Sequence, residues 1–384
     1  MTSLAQRPSP WQRIRPFVSG FDGPLVFAIL WLAAIGLVSM YSAGFDHGTR
    51  FVDHGRNMLL ALAVLLVVAQ VPPQRLADLA VPLYVAGVVL LLAVEFFGIT
   101  RKGATRWLDL GVIVIQPSEI LKIAAPLMLA WWFQRRETTR NAKDFLLALA
   151  LLAVPVWLVM KQPDLGTALL ILAAGMYVIF FAGLPWRLIL PAMAIGLAGI
   201  TAIVATEERI CQPHVDWPVL HGYQKNRVCT LLDPTKDPLG KGFHILQGEI
   251  AIGSGGLAGK GFMKGTQTHL EFIPERTTDF IFAAFAEEFG LAGCAMLLVA
   301  FLFLIFRGLM IAADAPSLFS RLLAGAITLS LFTYAFVNMG MVLGILPVVG
   351  VPLPFVSYGG TAMVSMGLAL GILMSIARSR RARG

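Results

Sequence analysis

The sequence predicts an all-α polytopic membrane protein of about ten transmembrane helices, with both termini cytoplasmic and one large extracytoplasmic loop. Three observations carry this. First, 57% of the 384 residues are hydrophobic and 14% are charged, whereas a soluble domain carries roughly 25% charged residues; that little polar surface cannot cover so much apolar surface. Second, apolar runs recur at the length that crosses a bilayer, about 20 residues. Third, Lys and Arg are distributed unequally between alternate connections.

The apolar runs lie near 24–42, 54–71, 80–98, 117–134, 145–160, 166–183, 188–205, 280–306, 322–344 and 359–377. The fifth is short and the fourth carries charge, so these two are the weakest spans. Cytoplasmic termini place Arg7, Arg13, Arg15, Arg75, Arg135, Arg136, Arg140, Lys143, Arg187, Arg307, Arg321, Arg378, Arg380, Arg381 and Arg383 inside, fifteen basic residues. The short outer connections hold six, Arg50, Arg56, Arg101, Lys102, Arg106 and Lys161. This asymmetry is the positive-inside pattern. The loop between the seventh and eighth spans, about 207–279, is left out of the count, because loops that long translocate largely regardless of charge.

The chain reads as a single integral-membrane domain, 1–384, without repeats or low-complexity segments. Its first 23 residues are basic and polar with no apolar centre, so the first span itself directs insertion. The net charge of +8 does not indicate nucleic-acid binding, which needs a basic face on a folded domain. Cys294 lies in an apolar run as a packing residue. Cys211 and Cys229 share the long outer loop, where they are either a disulfide or two free thiols. All six histidines fall in outer regions and read as loop residues; neither a Ser-His-Asp order nor a metal-ligand spacing is present.

Charged or helix-breaking residues at membrane depth mark function by default. Four places qualify. Gln116–Lys122 opens the fourth span, and Glu119 and Lys122 share a helical face; a structural ion pair is the plain alternative. Asp164 follows Pro163 at a helix start, where capping is the plain alternative. Asp279 stands where the long loop enters the eighth span, with Glu287 and Glu288 about two turns deeper; a cap is again the alternative. Partial desolvation at the lipid boundary raises a carboxylate's affinity for protons, which suits general-base work. Leu346–Gly360 has three prolines and three glycines and cannot continue a helix, so it reads as a re-entrant outer loop lining a cavity, with Pro352, Pro354, Ser357, Gly359 and Gly360. All four places fall on the outer face, which argues for one site. A transporter would place polar residues near the midplane in two matching halves. Gly253–Gly261 departs from a phosphate-binding loop at both ends, although its glycines leave backbone amides open to an outer phosphate or sugar.

The blocks RWLDLGVIVIQPSEILK, KQPDLGTA, YQKNRVCTLLDPTKDPLGKGFHILQGEIAIGSGGLAGKG, GTQTHLEFIPERTTDFIFAAFAEE and NMGMVLGILPVVGVPLPFVSYGG resemble the SEDS family (shape, elongation, division and sporulation), and its elongation members more than its division members. The first half of Cys211–Cys229 and the region before Arg106 carry no such motif. The resemblance implies a peptidoglycan glycosyltransferase that polymerises lipid II and releases undecaprenyl pyrophosphate at the outer face of the bacterial inner membrane. It implies Asp279 as general base and inversion at the donor sugar. Arg106, Lys122, Lys225, Arg227 and Lys260 are the outer basic residues available to the leaving pyrophosphate, with Glu119 orienting Lys122 and Asp164 organising the same cavity. A divalent cation, Mg2+ or Mn2+, has no visible ligand set. Implied partners are a class B penicillin-binding protein, the elongasome proteins and membrane lipid. The alternatives are a lipid II flippase, which needs a polar path across the membrane, and a non-catalytic activator of a transpeptidase.

Overall fold

The structure, a computed structural model, describes residues 20–381 apart from 47, 102–103, 110, 112–113, 139–140, 213–214, 216, 218–221, 238–239 and 274. Of the orienting residues, Arg7, Arg13, Arg15, Lys102, Arg140 and Arg383 lie outside the described residues, as do His47, His214 and His221.

Helices occupy all ten expected positions. In chain order they begin with α1 (Gly23–Ala43), α2 (Arg50–Val68), α3 (Pro73–Asp78) running into α4 (Ala80–Phe97), α5 (Pro117–Arg135), α6 (Ala142–Lys161), α7 (Leu165–Phe181) and α8 (Trp186–Ala205). The long connection then folds as α9 (Glu207–Ile210), α10 (Gly222–Leu232), α11 (Lys241–Gly255) and α12 (Thr266–His269). α13 (Ile281–Ala313), α14 (Leu318–Val342) and α15 (Gly360–Arg381) complete the bundle. Among the described residues, eight spans are long and apolar enough to cross a membrane, with α3 and α4 counted as one.

The other two are α5 and α7. α5 carries Glu119, Lys122 and Arg135, as its charge led one to expect. The short span is the sixth, α7, with 17 residues, and not the fifth. α6 reaches 20 residues because Asp144 accepts from the Asn141 amide at 2.9 Å, which starts the helix a polar turn before the apolar run. α7 is held short by Asp164 capping its start and by Gly183 just beyond its end at φ 98°.

The all-α expectation holds for the spans, but the connection between α4 and α5 is a small antiparallel sheet. β1 (Ile99–Arg101), β2 (Ala104–Asp109) and β3 (Val114–Ile115) pair in the order β1-β2-β3, in the registers Arg101↔Ala104 and Asp109↔Val114. Thr, Val, Ile and Trp favour such a pleated surface. In the long connection, Cys211 and Cys229 form a disulfide with Cα atoms 5.7 Å apart.

The two ends of the bundle are marked by side-chain rungs. At one end Arg307 donates to Asp22 (Nε to Oδ1, 2.8 Å), and Gly20 lies against the Arg378 side chain. At the other, Ser42 donates to Glu288 and Arg276 donates to the Ala43 carbonyl at 3.1 Å. About 20 helical residues separate the rungs on both α1 and α13, or about 30 Å at 1.5 Å per residue. That is the thickness of a hydrocarbon core, so the rungs mark its two boundaries. α14 stands at the centre, with 72% of its apolar window buried, while α8 buries none of its own.

Candidate functional site

The site is built around α14. Its Asn338, fully buried, donates to two carbonyls, Asp279 at 3.0 Å and Val351 at 2.8 Å. One amide thereby ties the entry of α13 to the proline-rich loop. Two further bonds stitch the same seam: the Ser357 hydroxyl donates to the Thr278 carbonyl at 2.7 Å, and the Tyr358 amide to the Thr277 carbonyl at 2.8 Å. Ser357 also accepts from the Leu353 amide at 2.8 Å, which closes the loop on itself. The half-buried Asp279 lies against Gly350, where an added Cβ would stand 3.5 Å from Oδ2.

The loop packs into the bundle. Gly36 of α1 faces the Phe355 carbonyl so closely that a Cβ there would lie 2.1 Å from it. Gly36 is six residues from Ser42 along α1, about 9 Å into the bundle from that rung. Pro354 and Ser357 are buried, whereas Pro352, Gly359 and Gly360 are half-buried, with Gly360 opening α15. His54 is not a loop residue: it sits inside α2, fully buried, with its ring toward the Phe355 carbonyl.

One turn along α14 from Asn338, the Tyr334 hydroxyl accepts from Lys122 Nζ at 2.9 Å. Lys122 pairs with Glu119 at 2.6 Å, both side chains largely buried, and the other Glu119 oxygen accepts from Ser365 of α15 at 2.8 Å. The pair is therefore structural and part of the cluster at once. Tyr334 also lies in the field of Asp164. Asp164 caps α7 through the Thr167 amide (3.2 Å) and accepts from Gln116 at 3.3 Å, so capping and cavity building coincide. Strand β2 delivers Arg106 to it at 3.5 Å, with further bonds to the Gln162 and Pro163 carbonyls. Gly166 of α7 abuts the Val349 carbonyl, 2.6 Å from an added Cβ, which joins this unit to the proline-rich loop.

Lys122, Glu119, Asp164, Arg106 and Asp279 are thus assembled through α14, α7 and the loop. Arg227 of α10 reaches the loop's rim, donating to the Val348 carbonyl at 3.0 Å. Lys225 and Lys260 are not brought there. Lys225 is buried and donates to the Gln212 and Val215 carbonyls, both at 2.6 Å, inside the fold of the disulfide segment. Lys260 pairs with Glu287 at 2.7 Å. The amides of Lys260 and Gly261 are also spoken for by the Glu287 and Glu288 carbonyls, each at 3.0 Å, so the glycine-rich stretch is not open to a phosphate or sugar there. Among the described residues, no group of three or more His, Cys, Asp and Glu gathers to hold a metal ion.

Sequence reasoning missed Asn338 and Tyr334, which are uncharged polar residues inside an apolar run. It also assigned Arg50 to topology alone; Arg50 donates to the Thr277 hydroxyl and stacks over the Tyr358 ring at 5.0 Å. Beside the cluster opens a groove of about 430 Å³, lined by Asn57, Leu60, Ile115, Gln116, Glu119 and Ser365 among others. Its walls are mainly aliphatic, and the bonded pair Glu119 and Ser365 is among the polar residues that line them.

Comparison with known proteins identifies the family of the chain. The family described as cell cycle protein, which groups FtsW, RodA and SpoVE, matches residues 24–382. The chain is 45% identical to the peptidoglycan glycosyltransferase MrdB of Escherichia coli (strain K12), over 99% of this chain and 98% of the relative. It is 30% identical to the peptidoglycan glycosyltransferase RodA of Treponema pallidum (strain Nichols), over 94% and 98%. Among solved structures it superposes on a chain of a peptidoglycan synthase complex that coordinates polymerization and crosslinking, with a TM-score of 0.77, 32% identity and coverage of 94% and 98%. It also superposes on the rod shape determining protein RodA of Thermus thermophilus, with a TM-score of 0.69, 30% identity and coverage of 94% and 97%.

Proposed function

The chain belongs to the FtsW, RodA and SpoVE family, and from that premise we propose that it is a peptidoglycan glycosyltransferase with Asp279 as its base. Its substrate is lipid II, and it works at the outer face of the bacterial inner membrane for cell elongation. The observation that carries this reading is the pairing on α14. Asn338 fixes Asp279 and the proline-rich loop, and Tyr334, one turn away, fixes Lys122. A base and a cation are thereby both tied to one rigid element, through two residues of α14 that stand about 6 Å apart along its axis, as a displacement with a charged leaving group requires.

In the proposed reaction Asp279 takes the proton of the acceptor sugar hydroxyl. The oxygen forms its bond to the donor anomeric carbon as that carbon's bond to the pyrophosphate oxygen breaks. Undecaprenyl pyrophosphate leaves, and the donor's α-linkage becomes a β-linkage. Lys122 and Arg106 meet the charge that develops on the leaving group, with Arg227 and Arg50 at the rim. Lys122 is held for this by Glu119 and Tyr334, and Arg106 by Asp164. The groove beside Glu119 has the aliphatic walls an isoprenoid tail needs. A Mg2+ or Mn2+ ion, if used, would arrive on the substrate's phosphates, as Mg2+ commonly does.

The partner proposed is a class B penicillin-binding protein, within the elongasome. Purified protein, that partner and lipid II, with no other polymerase present, form glycan chains that survive transpeptidase inhibition and vanish in Asp279→Ala. Normal polymerisation by Asp279→Ala defeats the mechanism, and lipid II scrambling by that variant in vesicles would favour a flippase.

A further inference from the structure

The segment after α11 leaves an observation that the reaction does not use. α13 is broken at Gly290, which has φ 62° and ψ −161°. In an intact helix the amides of residues 291 and 292 would donate to the carbonyls of 287 and 288. Here all four groups turn to the segment instead. The Lys260 and Gly261 amides donate to the Glu287 and Glu288 carbonyls, both at 3.0 Å. The Leu291 and Ala292 amides donate to the Gly256 and Leu257 carbonyls, at 2.9 and 3.1 Å. These four groups, freed by the break, are all paired with protein backbone. That is the condition under which irregular backbone persists at membrane depth.

Side chains lock the graft. The fully buried Glu287 accepts from Lys260 Nζ at 2.7 Å, the Gln267 and Thr268 amides at 2.9 and 3.1 Å, and the Thr268 hydroxyl at 3.0 Å. Glycine is required at the contact, since a Cβ on Gly259 would stand 2.1 Å from the Glu288 carbonyl. Glu288 itself bonds to Ser42, the rung that marks the outer boundary of the hydrocarbon core. The graft therefore sits at that boundary and not in the water above it.

The outward side chains match this height. Leu257 is 76% exposed and Leu270 65%, with Phe262 and Phe272 also exposed. They continue the lipid-facing surface of the spans, where Leu291 of α13 is 61% exposed and Tyr41 of α1 52%. The Phe262 and Tyr41 rings stack at 6.1 Å. The exposed charges Lys264 and Glu271 have stems long enough to reach the headgroups.

We propose that Gly255–Phe272 is a re-entrant anchor, with Leu257, Phe262, Leu270 and Phe272 seated among the acyl chains of the outer leaflet. Lipid is the occupant because the apolar surface is continuous with the lipid-facing spans and the four backbone groups freed at Gly290 are paired within the protein. The inference rests on the membrane topology and not on the assignment of Asp279. The test uses the full chain, Cys294→Ser with the Cys211–Cys229 bridge intact, in phosphatidylethanolamine–phosphatidylglycerol nanodiscs. Leu257→Cys and Leu270→Cys carry a bimane label, with Leu291→Cys as the lipid control and Thr235→Cys, exposed in the long connection outside the segment, as the aqueous control. Lipids brominated near the head of the acyl chain quench the label at 257 and 270 as strongly as at 291, and iodide quenches it severalfold less than at 235. Retained polymerisation shows that the labelled chains are folded. Iodide quenching equal to that at 235 overturns the proposal, and iodide quenching removed by the transpeptidase partner would mark the surface as a protein interface instead.

Discussion

α8 and α14 are both apolar helices of about one bilayer's length, yet their surroundings are opposite. α8 has the higher mean hydropathy, 2.3 against 1.6, and buries none of its window, whereas α14 buries 72%. In water that order would be reversed. In a bilayer the solvent is as apolar as leucine, so burial follows small and polar residues. α14 carries Thr328, Thr333, Tyr334 and Asn338, all buried, and its Gly325 admits Phe181, 2.7 Å from an added Cβ. The hydroxyl of Thr201 in α8 folds back on the Leu197 carbonyl, and nothing approaches its Gly196 or Gly199 within 4 Å. Hydropathy thus located both helices and said nothing about which one organises the site.

The comparison breaks most visibly at the residues that α14 holds. Asp279→Asn should lower polymerisation by about 10²- to 10⁴-fold, the usual worth of a general base, with an unchanged melting transition, as read from glycan products and thermal unfolding of the same sample. Lys122→Met should act on both. It strands Glu119 without its buried counter-charge, at a cost of about 3–5 kcal/mol. Adding Glu119→Leu should recover most of that stability, since the apolar pair leaves no orphaned charge. Polymerisation should stay lost in the double variant; if it returned with stability, Lys122 would be a strut and not part of the chemistry.

Asn338→Leu comes next. It leaves the carbonyls of Asp279 and Val351 without their shared donor, about 1–3 kcal/mol for each buried group left unpaired. Because Asp279 itself is untouched, kcat should fall while the affinity for lipid II holds. A variant that unfolds more easily but turns over normally would show that Asn338 supports the loop without positioning the base.

How legible this was in the sequence depends on the kind of residue. Spans were legible because crossing a bilayer imposes a length, and Asp279, Lys122 and Asp164 because charge at depth is rare. Asn338 and Tyr334 were not, since both lie inside an apolar run that reads as one more span; a lone Asn there was the available signal, because it needs a partner. Lys225 and Lys260 looked like Arg106 by composition, and only the fold sends them to local carbonyls and to Glu287. The glycines of 253–261 admitted a ligand or a close backbone approach equally, and the break at Gly290 that decides between them has no signature beyond one glycine in an apolar helix.

The smallest effect belongs to α8, and it tests the comparison from the other side. Ile195→Ala and Leu197→Ala remove side chains that are 74% and 67% exposed. They leave no cavity and lose only contacts with lipid, so each should shift stability by less than about 0.5 kcal/mol, the range of substitutions away from packed features. Leu331→Ala in α14, where the side chain is 2% exposed, opens a cavity and should cost about 2 kcal/mol or more. Thermal unfolding of the three variants in one lipid composition measures the contrast directly. Equal losses would mean that α8 packs against the bundle in the bilayer. Unequal losses in the predicted order would leave α8 as an apolar face still open to a partner's membrane helix, and repeating the α8 pair with the transpeptidase bound would then show whether that partner supplies the missing contacts.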